Sequence, residues 1–152
     1  METFYSQLAA ISFALLGLWW VVVQMKYKTW TSAPGRLITA YAVSASFVAL
    51  GVLSLIAIMD DPQSQIWRLG SGLGAALGIL ATLFALMRGH LSSAQRVGEG
   101  FVLVLFVVMG LLSFVTTPLL GLRPVALEGL LSVGTLALTV HVIWQFFVEK
   151  AE

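Results

Sequence analysis

The amino-acid sequence predicts an all-α integral membrane bundle of five transmembrane helices, with the N-terminus outside and the C-terminus in the cytoplasm. The first observation is the composition: 59% of the 152 residues are hydrophobic and only 10% are charged. A soluble domain carries about 25% charged residues, and so small a domain must expose much of its surface to water. The second observation is that the charges fall in short clusters separated by long apolar runs. Together they indicate a membrane protein.

The apolar runs have the length of membrane crossings. A helix needs about 20 apolar residues to cross the hydrocarbon core of a bilayer, and each interval between charge clusters supplies roughly that many. Barrel strands would alternate polar and apolar residues, whereas the run from Val102 to Val108 is apolar throughout. The intervals therefore predict one membrane domain, residues 1–152, with helices over 3–25, 37–59, 67–87, 100–119 and 124–148.

Basic residues in the short connections predict the orientation. The outer side has only Arg68 and Arg123, whereas the first and third connections and the C-terminal tail carry the larger share. Short cytoplasmic loops are enriched in Lys and Arg. We therefore expect a multi-pass protein of the bacterial inner membrane, with the larger set of basic residues in the cytoplasm. That set comprises Lys26, Lys28, Arg36, Arg88, Arg96 and Lys150. At the outer turn, we expect Arg68 to pair with Asp60 or Asp61.

The third predicted helix carries three glycines one helical turn apart, Gly70, Gly74 and Gly78. This spacing places them on one face, where the backbone of a neighbouring helix can approach closely. We expect these glycines to form a packing seam inside the monomer. The alternative is that this face binds a second copy, as in a homo-oligomer, or a partner membrane subunit.

The last predicted helix carries Glu128, the only acidic residue that the sequence places inside a span. Ser132, Thr135 and Thr139 follow it on the same face. Ionisable residues at membrane depth usually face the bundle interior and often mark a path for ions or protons. One hypothesis is that these four residues line a polar crevice in which Glu128 binds a cation or a proton. The alternative is structural: Glu128 reaches water or Arg123 near the helix end, and the hydroxyls bond to their own backbone.

His141 lies on the same helix, roughly opposite Glu128 in azimuth, so the two side chains cannot form one compact site. Imidazole exchanges protons near neutral pH, which suggests a proton relay; a hydrogen bond to an adjacent helix is the commoner role. A haem site would need a facing axial ligand, and the other histidine, His90, is in a loop. The spacing of His, Asp and Glu supplies no zinc site either. We therefore expect no metal and no cofactor.

The sequence lacks the motifs of the common catalytic sites. It has no cysteine, no nucleophile elbow, no phosphate-binding loop and no dinucleotide fingerprint. A net charge of +1 offers no basic surface to nucleic acid. The expected function is therefore non-enzymatic: an accessory, sensory or structural subunit in the lipid bilayer. The alternative is an oligomeric channel or transporter for a small ion or solute, with its path along the Glu128 face.

Overall fold

A computed structural model of the protein describes residues 2–32, 34–59, 65–119 and 121–148. The described residues form five α-helices and no strand longer than an isolated bridge. The helices are α1 (Glu2–Thr31), α2 (Pro34–Met59), α3 (Gln65–Arg88), α4 (Ser93–Leu112) and α5 (Pro124–Val148). Each of the five is long and apolar enough to cross a membrane. The prediction of an all-helical chain with five helices of membrane-spanning length is confirmed, and these helices support a multi-pass membrane protein.

The helices pack in chain order, each against the next, and α5 returns to touch α2 and α1. This arrangement makes α2 the most buried of the five helices. Its residues Phe47 and Leu50 are fully buried, and Leu50 packs against side chains of α3 and α4. The apolar core therefore follows α2 through the middle of the bundle, while α1 leaves most of its surface to the lipid.

Helix α4 begins and ends about two turns earlier than the predicted range of 100–119. A capping box sets its start. The backbone N–H of Gln95 donates to Ser92 Oγ at 3.3 Å, and the backbone N–H of Ser92 donates to Gln95 Oε1 at 3.0 Å. Reciprocal bonds of this kind satisfy N–H groups that a helix start otherwise leaves without partners. As a consequence, Glu99 lies within the helix and not at its boundary.

The chain between α4 and α5 is an irregular connection and not a continuation of the helix. Leu119 and Leu122 exchange backbone hydrogen bonds at 2.9 and 3.0 Å. Gly121, between them, has a φ of 76°, in the left-handed region that favours glycine. Pro124 then opens α5, at the helix start where its missing N–H costs nothing.

The α1–α2 and α3–α4 connections meet at one end of the bundle, and the basic residues that the sequence assigned to these connections lie in the helix ends that flank them. The His90 amide donates to the Gly35 carbonyl at 3.1 Å, which ties the α3–α4 connection to the start of α2. We call this the basic end; its cations among the described residues are Lys26, Lys28, Arg36, Arg88 and Arg96. Arg68 and Arg123 lie at the opposite end. The expected partners of Arg68, Asp60 and Asp61, lie outside the described residues.

An aromatic cluster packs the basic end of the core. Trp19 and Trp30 of α1 contact each other and Phe146 of α5, with ring centroids 5.8–6.0 Å apart. The indole N–H of Trp19 donates to the Ala40 carbonyl of α2 at 3.0 Å. A buried indole needs such a partner, so this bond fixes α1 against α2 where the two helices are joined.

The three glycines of α3 lie in a seam within one molecule. Gly70 and Gly74 face α2, at Ile56 and Leu53 respectively, whereas Gly78 faces the ring of Phe106 on α4. A Cβ atom at Gly70 would lie 2.6 Å from the Ile56 side chain, and one at Gly78 would overlap the Phe106 ring. The absence of side chains therefore allows α2 and α4 to pack on two sides of α3.

We expect Gly78→Ala to lower the free energy of unfolding by about 1–3 kcal/mol, because the added methyl group overpacks the fully buried Phe106. The matched control is Gly100→Ala on α4, where a Cβ meets no atom within 4 Å. That control should be neutral or stabilising by up to about 1 kcal/mol, because alanine is the better helix former. Unfolding followed by circular dichroism in detergent compares the two variants. Equal stability of the two would refute a close contact at Gly78.

Candidate functional site

The polar stripe of α5, formed by Glu128, Ser132, Thr135 and Thr139, faces the interior of the bundle. The first three side chains are 0% exposed and Thr139 is 2% exposed. The spacing of about one turn keeps them on a single helix face. The contacts of each polar atom therefore decide whether this face can bind an ion or only stabilises the bundle.

Glu128 connects two helices that are not otherwise neighbours. Its Oε1 atom accepts a hydrogen bond of 2.5 Å from Ser71 Oγ on α3, and Ser71 is itself buried. Among the described residues, no Cα atom of α3 lies within 8 Å of one on α5. The long glutamate side chain thus spans the gap between these helices. It does not reach Arg123, whose side chain is exposed at the surface.

Tyr5 of α1 completes a polar junction with Ser71 and Glu128. Its hydroxyl donates to the Val125 carbonyl of α5 at 2.5 Å, although Tyr5 is 1% exposed. The same hydroxyl would lie 3.2 Å from a Cβ atom placed at Gly129, the residue after Glu128. Three helices, α1, α3 and α5, therefore meet through polar contacts at the end of the bundle away from the basic end.

The second carboxyl oxygen of Glu128 takes no part in these hydrogen bonds. Oε2 is buried and accepts no hydrogen bond from any described residue. An unpaired polar atom in an apolar interior is costly. The polar junction therefore contains one acceptor that a proton or a small cation would satisfy.

The remaining hydroxyls of the polar stripe bond within the protein. Thr135 Oγ1 donates to the Leu131 carbonyl and Thr139 Oγ1 to the Thr135 carbonyl, each at 2.8 Å. Ser132 Oγ lies 3.5 Å from the sulfur of Met109 on α4. None of these residues lines any of the three cavities described for the bundle. The stripe is therefore buried, with Ser132 in contact with α4 and Glu128 in contact with α3.

Glu99 corrects the expectation that Glu128 is the only acidic residue inside a span. It lies on α4, 3% exposed, on the buried face that also carries Gln95, Val102 and Phe106. Gln95 is fully buried, and its Nε2 has no hydrogen-bond partner among the described residues. A buried amide and a buried carboxyl group thus lie one turn apart near the basic end.

Glu99 and Glu128 lie near opposite ends of the packed face between α4 and α5. At one end, Met109 of α4 meets Ser132; at the other, Gly98 packs against Val142. Glu99 precedes a long uncharged run, so the spacing of charges alone predicts that it lies at a helix boundary. The pattern Ser92-x-x-Gln95 is the feature that could have placed it inside a helix.

His141 lies outside the polar stripe. Its side chain is exposed on the lipid-facing side of α5, and its Nε2 is 2.9 Å from Nε2 of Gln145, one turn further along the same helix. The hydrogen bond that the sequence led us to expect with an adjacent helix is made within α5. The structure therefore does not bring His141 together with Glu128 or Glu99.

The described residues contain no group of three or more His, Asp or Glu side chains that could hold a metal ion. Comparison with known proteins adds no assignment: no protein-family model matches the chain, and neither the curated proteins nor the solved structures include a similar one. Any functional proposal therefore depends on the contacts described above.

We expect Ser71→Ala to destabilise the protein by about 1–2 kcal/mol, because it leaves both carboxyl oxygens of Glu128 buried without a donor. The control is Ser54→Ala on α2. Ser54 is equally buried, but its hydroxyl donates to the Leu50 carbonyl of its own helix at 2.7 Å. Removing it leaves no buried carboxyl group without a donor, so its effect should be smaller. Thermal unfolding in detergent measures both, and equal losses would exclude a stabilising role for the contact with Glu128.

Proposed function

We propose that this chain is a non-enzymatic accessory or structural subunit of a membrane, whose buried polar groups hold its helices in one arrangement. The observation that carries the proposal is the hydrogen bond from Ser71 to Glu128, which joins α3 to α5 inside the bundle. Interhelical hydrogen bonds of this kind stabilise membrane bundles by about 1 kcal/mol each. A carboxyl group used in this way contributes to the packing of the chain and needs no substrate.

The packing along the polar stripe supports the same proposal. A path for ions needs water or polar atoms that replace the hydration shell of the ion. Here the threonine hydroxyls donate to carbonyls of their own helix, and fully buried Met109 contacts Ser132. One chain in this conformation therefore offers a packed interior, as a structural subunit requires.

A path for protons or small cations is the second candidate, and two observations favour it. Glu128 Oε2 lacks a partner among the described residues, and Glu99 supplies a second buried acid near the opposite end of the α4–α5 face. Intramembrane acids often mark proton relays. Between these two residues, the path would have to use Ser132, Thr135 and Thr139 after a rearrangement of their hydroxyls.

Ion and proton flux in liposomes separates the two candidates. For a structural subunit we expect the wild type, Glu128→Gln and Glu99→Gln to match protein-free liposomes for protons, sodium and potassium. Gramicidin added at the end of each trace verifies that the vesicles are sealed. Flux in the wild type that disappears in Glu128→Gln, with the helical content unchanged, would replace our proposal with the permeation mechanism.

We also propose that the basic end lies in the cytoplasm of a bacterial inner membrane, because Lys and Arg concentrate in cytoplasmic loops. The chain has no cysteine, so single cysteines report the orientation without background. Thr117→Cys, in the exposed α4–α5 connection, should react with a membrane-impermeant maleimide on intact cells stripped of their outer membrane. Ser93→Cys, exposed at the basic end, should react only after permeabilisation. The reverse pattern would invert the orientation.

A further inference from the structure

A lateral groove runs between α3 and α4 on the surface of the bundle, with a volume of about 550 Å³. Small residues form its floor, namely Gly72, Ala75 and Gly110, and α3 and α4 approach closely there. Large apolar residues stand along its edges, and each is more than 60% exposed. They are Leu69, Leu73, Leu111 and Phe114. The groove is thus an apolar cleft on the side of the bundle, open toward the lipid.

The groove has the dimensions of a site for a long apolar chain. Its volume falls within the range of about 300–1,000 Å³ that is usual for small-molecule sites. Along α3 it extends from Gln65 to Ile79, which is about 21 Å at a rise of ~1.5 Å per residue. The hydrocarbon core is ~30 Å thick. The groove therefore reaches from one membrane surface past the middle of the bilayer, the depth that a lipid acyl chain occupies.

Arg68 closes the surface end of the groove. Its Nε donates to the Ser113 carbonyl at 2.9 Å, where α4 has just ended and carbonyl groups lack helical partners. This bond fixes the guanidinium beside the groove. A guanidinium has more N–H donors than the bonds to Ser113 and the Phe114 carbonyl use, and its planar fork matches the oxygens of a phosphate.

A second, smaller cavity adjoins the first at Arg68. This arginine hollow, of about 110 Å³, has Arg68, Arg123 and Thr116 among its lining residues. No acidic residue lines either cavity among the described residues. Two arginines and a threonine therefore line one small space at the end of an apolar groove.

We propose that the groove and the arginine hollow together bind one anionic phospholipid, with an acyl chain between α3 and α4 and the phosphate between Arg68 and Arg123. Charge complementarity favours this occupant over a second copy of the chain. In a symmetric dimer the same patch meets itself, which would bring the arginines of both copies to one level and make them repel. In the orientation proposed above, the lipid comes from the outer leaflet.

Native mass spectrometry of the full chain tests the proposal. The protein is exchanged from detergent into nanodiscs of phosphatidylcholine with phosphatidylglycerol, released, and scored for retained phosphatidylglycerol. We expect one molecule per wild-type chain, and at least a tenfold lower occupancy in Gly72→Leu, whose side chain fills the groove. A Cβ at Gly72 comes no closer than 3.5 Å to Ser113 Oγ, so this variant should fold. Arg68→Ala and Arg123→Ala should also lose the lipid.

Two controls make the measurement specific. Arg96→Ala removes an exposed cation at the basic end and should retain the lipid at wild-type occupancy. Diacylglycerol with the same acyl chains should not replace phosphatidylglycerol, because it lacks the phosphate. If circular dichroism shows that Arg68→Ala is unfolded, Gly72→Leu and Arg123→Ala decide the result. Wild-type occupancy in those variants, equal retention of diacylglycerol, or dimers that Gly72→Leu dissociates would each overturn the proposal.

Discussion

The bilayer sets the constraint on which this structure depends: a polar group in hydrocarbon has to find its partner inside the protein. Most of the buried hydroxyls solve the problem locally. Ser54, Thr82 and Thr139 donate to the carbonyl one turn earlier in their own helix. Glu128 differs from these residues, because its partner is the Ser71 hydroxyl of another helix. This hydrogen bond joins α5 to α3. At the same end of the bundle, the hydroxyl of Tyr5 joins α1 to α5.

Close packing in the rest of the bundle follows from small residues and not from polar ones. Lipid tails are as apolar as leucine, so burial alone does not drive helices together in a membrane. The seam at Gly70 and Gly74 brings α2 against α3, and the missing side chain at Gly78 admits Phe106 of α4. Since α2 also packs against α1 and α5, the other four helices gather around it. Polar contacts then favour one arrangement of the helices over others that these apolar surfaces would also allow.

The sequence predicts the number of helices from the lengths of the apolar runs, and the face of the polar stripe from helical spacing, because both are local features of the chain. Pro124 marks the start of α5 for the same reason. The bounds of α4 were wrong by about two turns, since apolar runs were delimited by charges and Glu99 is buried. The polar junction was beyond prediction. Tyr5, Ser71 and Glu128 meet only through tertiary packing, and no spacing in one chain indicates which helices face each other.

The contrast between interior and surface decides where this protein meets other molecules. Among the described residues, its interior is filled by side chains whose hydroxyls mostly donate to carbonyls of their own helix. Its lateral surface carries a groove that ends at Arg68, a residue held in place by the carbonyls at the end of α4. Burying an apolar groove gains little in lipid, so specific recognition there has to come from the arginines. Among the described residues, the same constraint that pairs Glu128 with Ser71 thus favours the proposed lipid site at Arg68, where a charged group lies beside an unfilled apolar cleft.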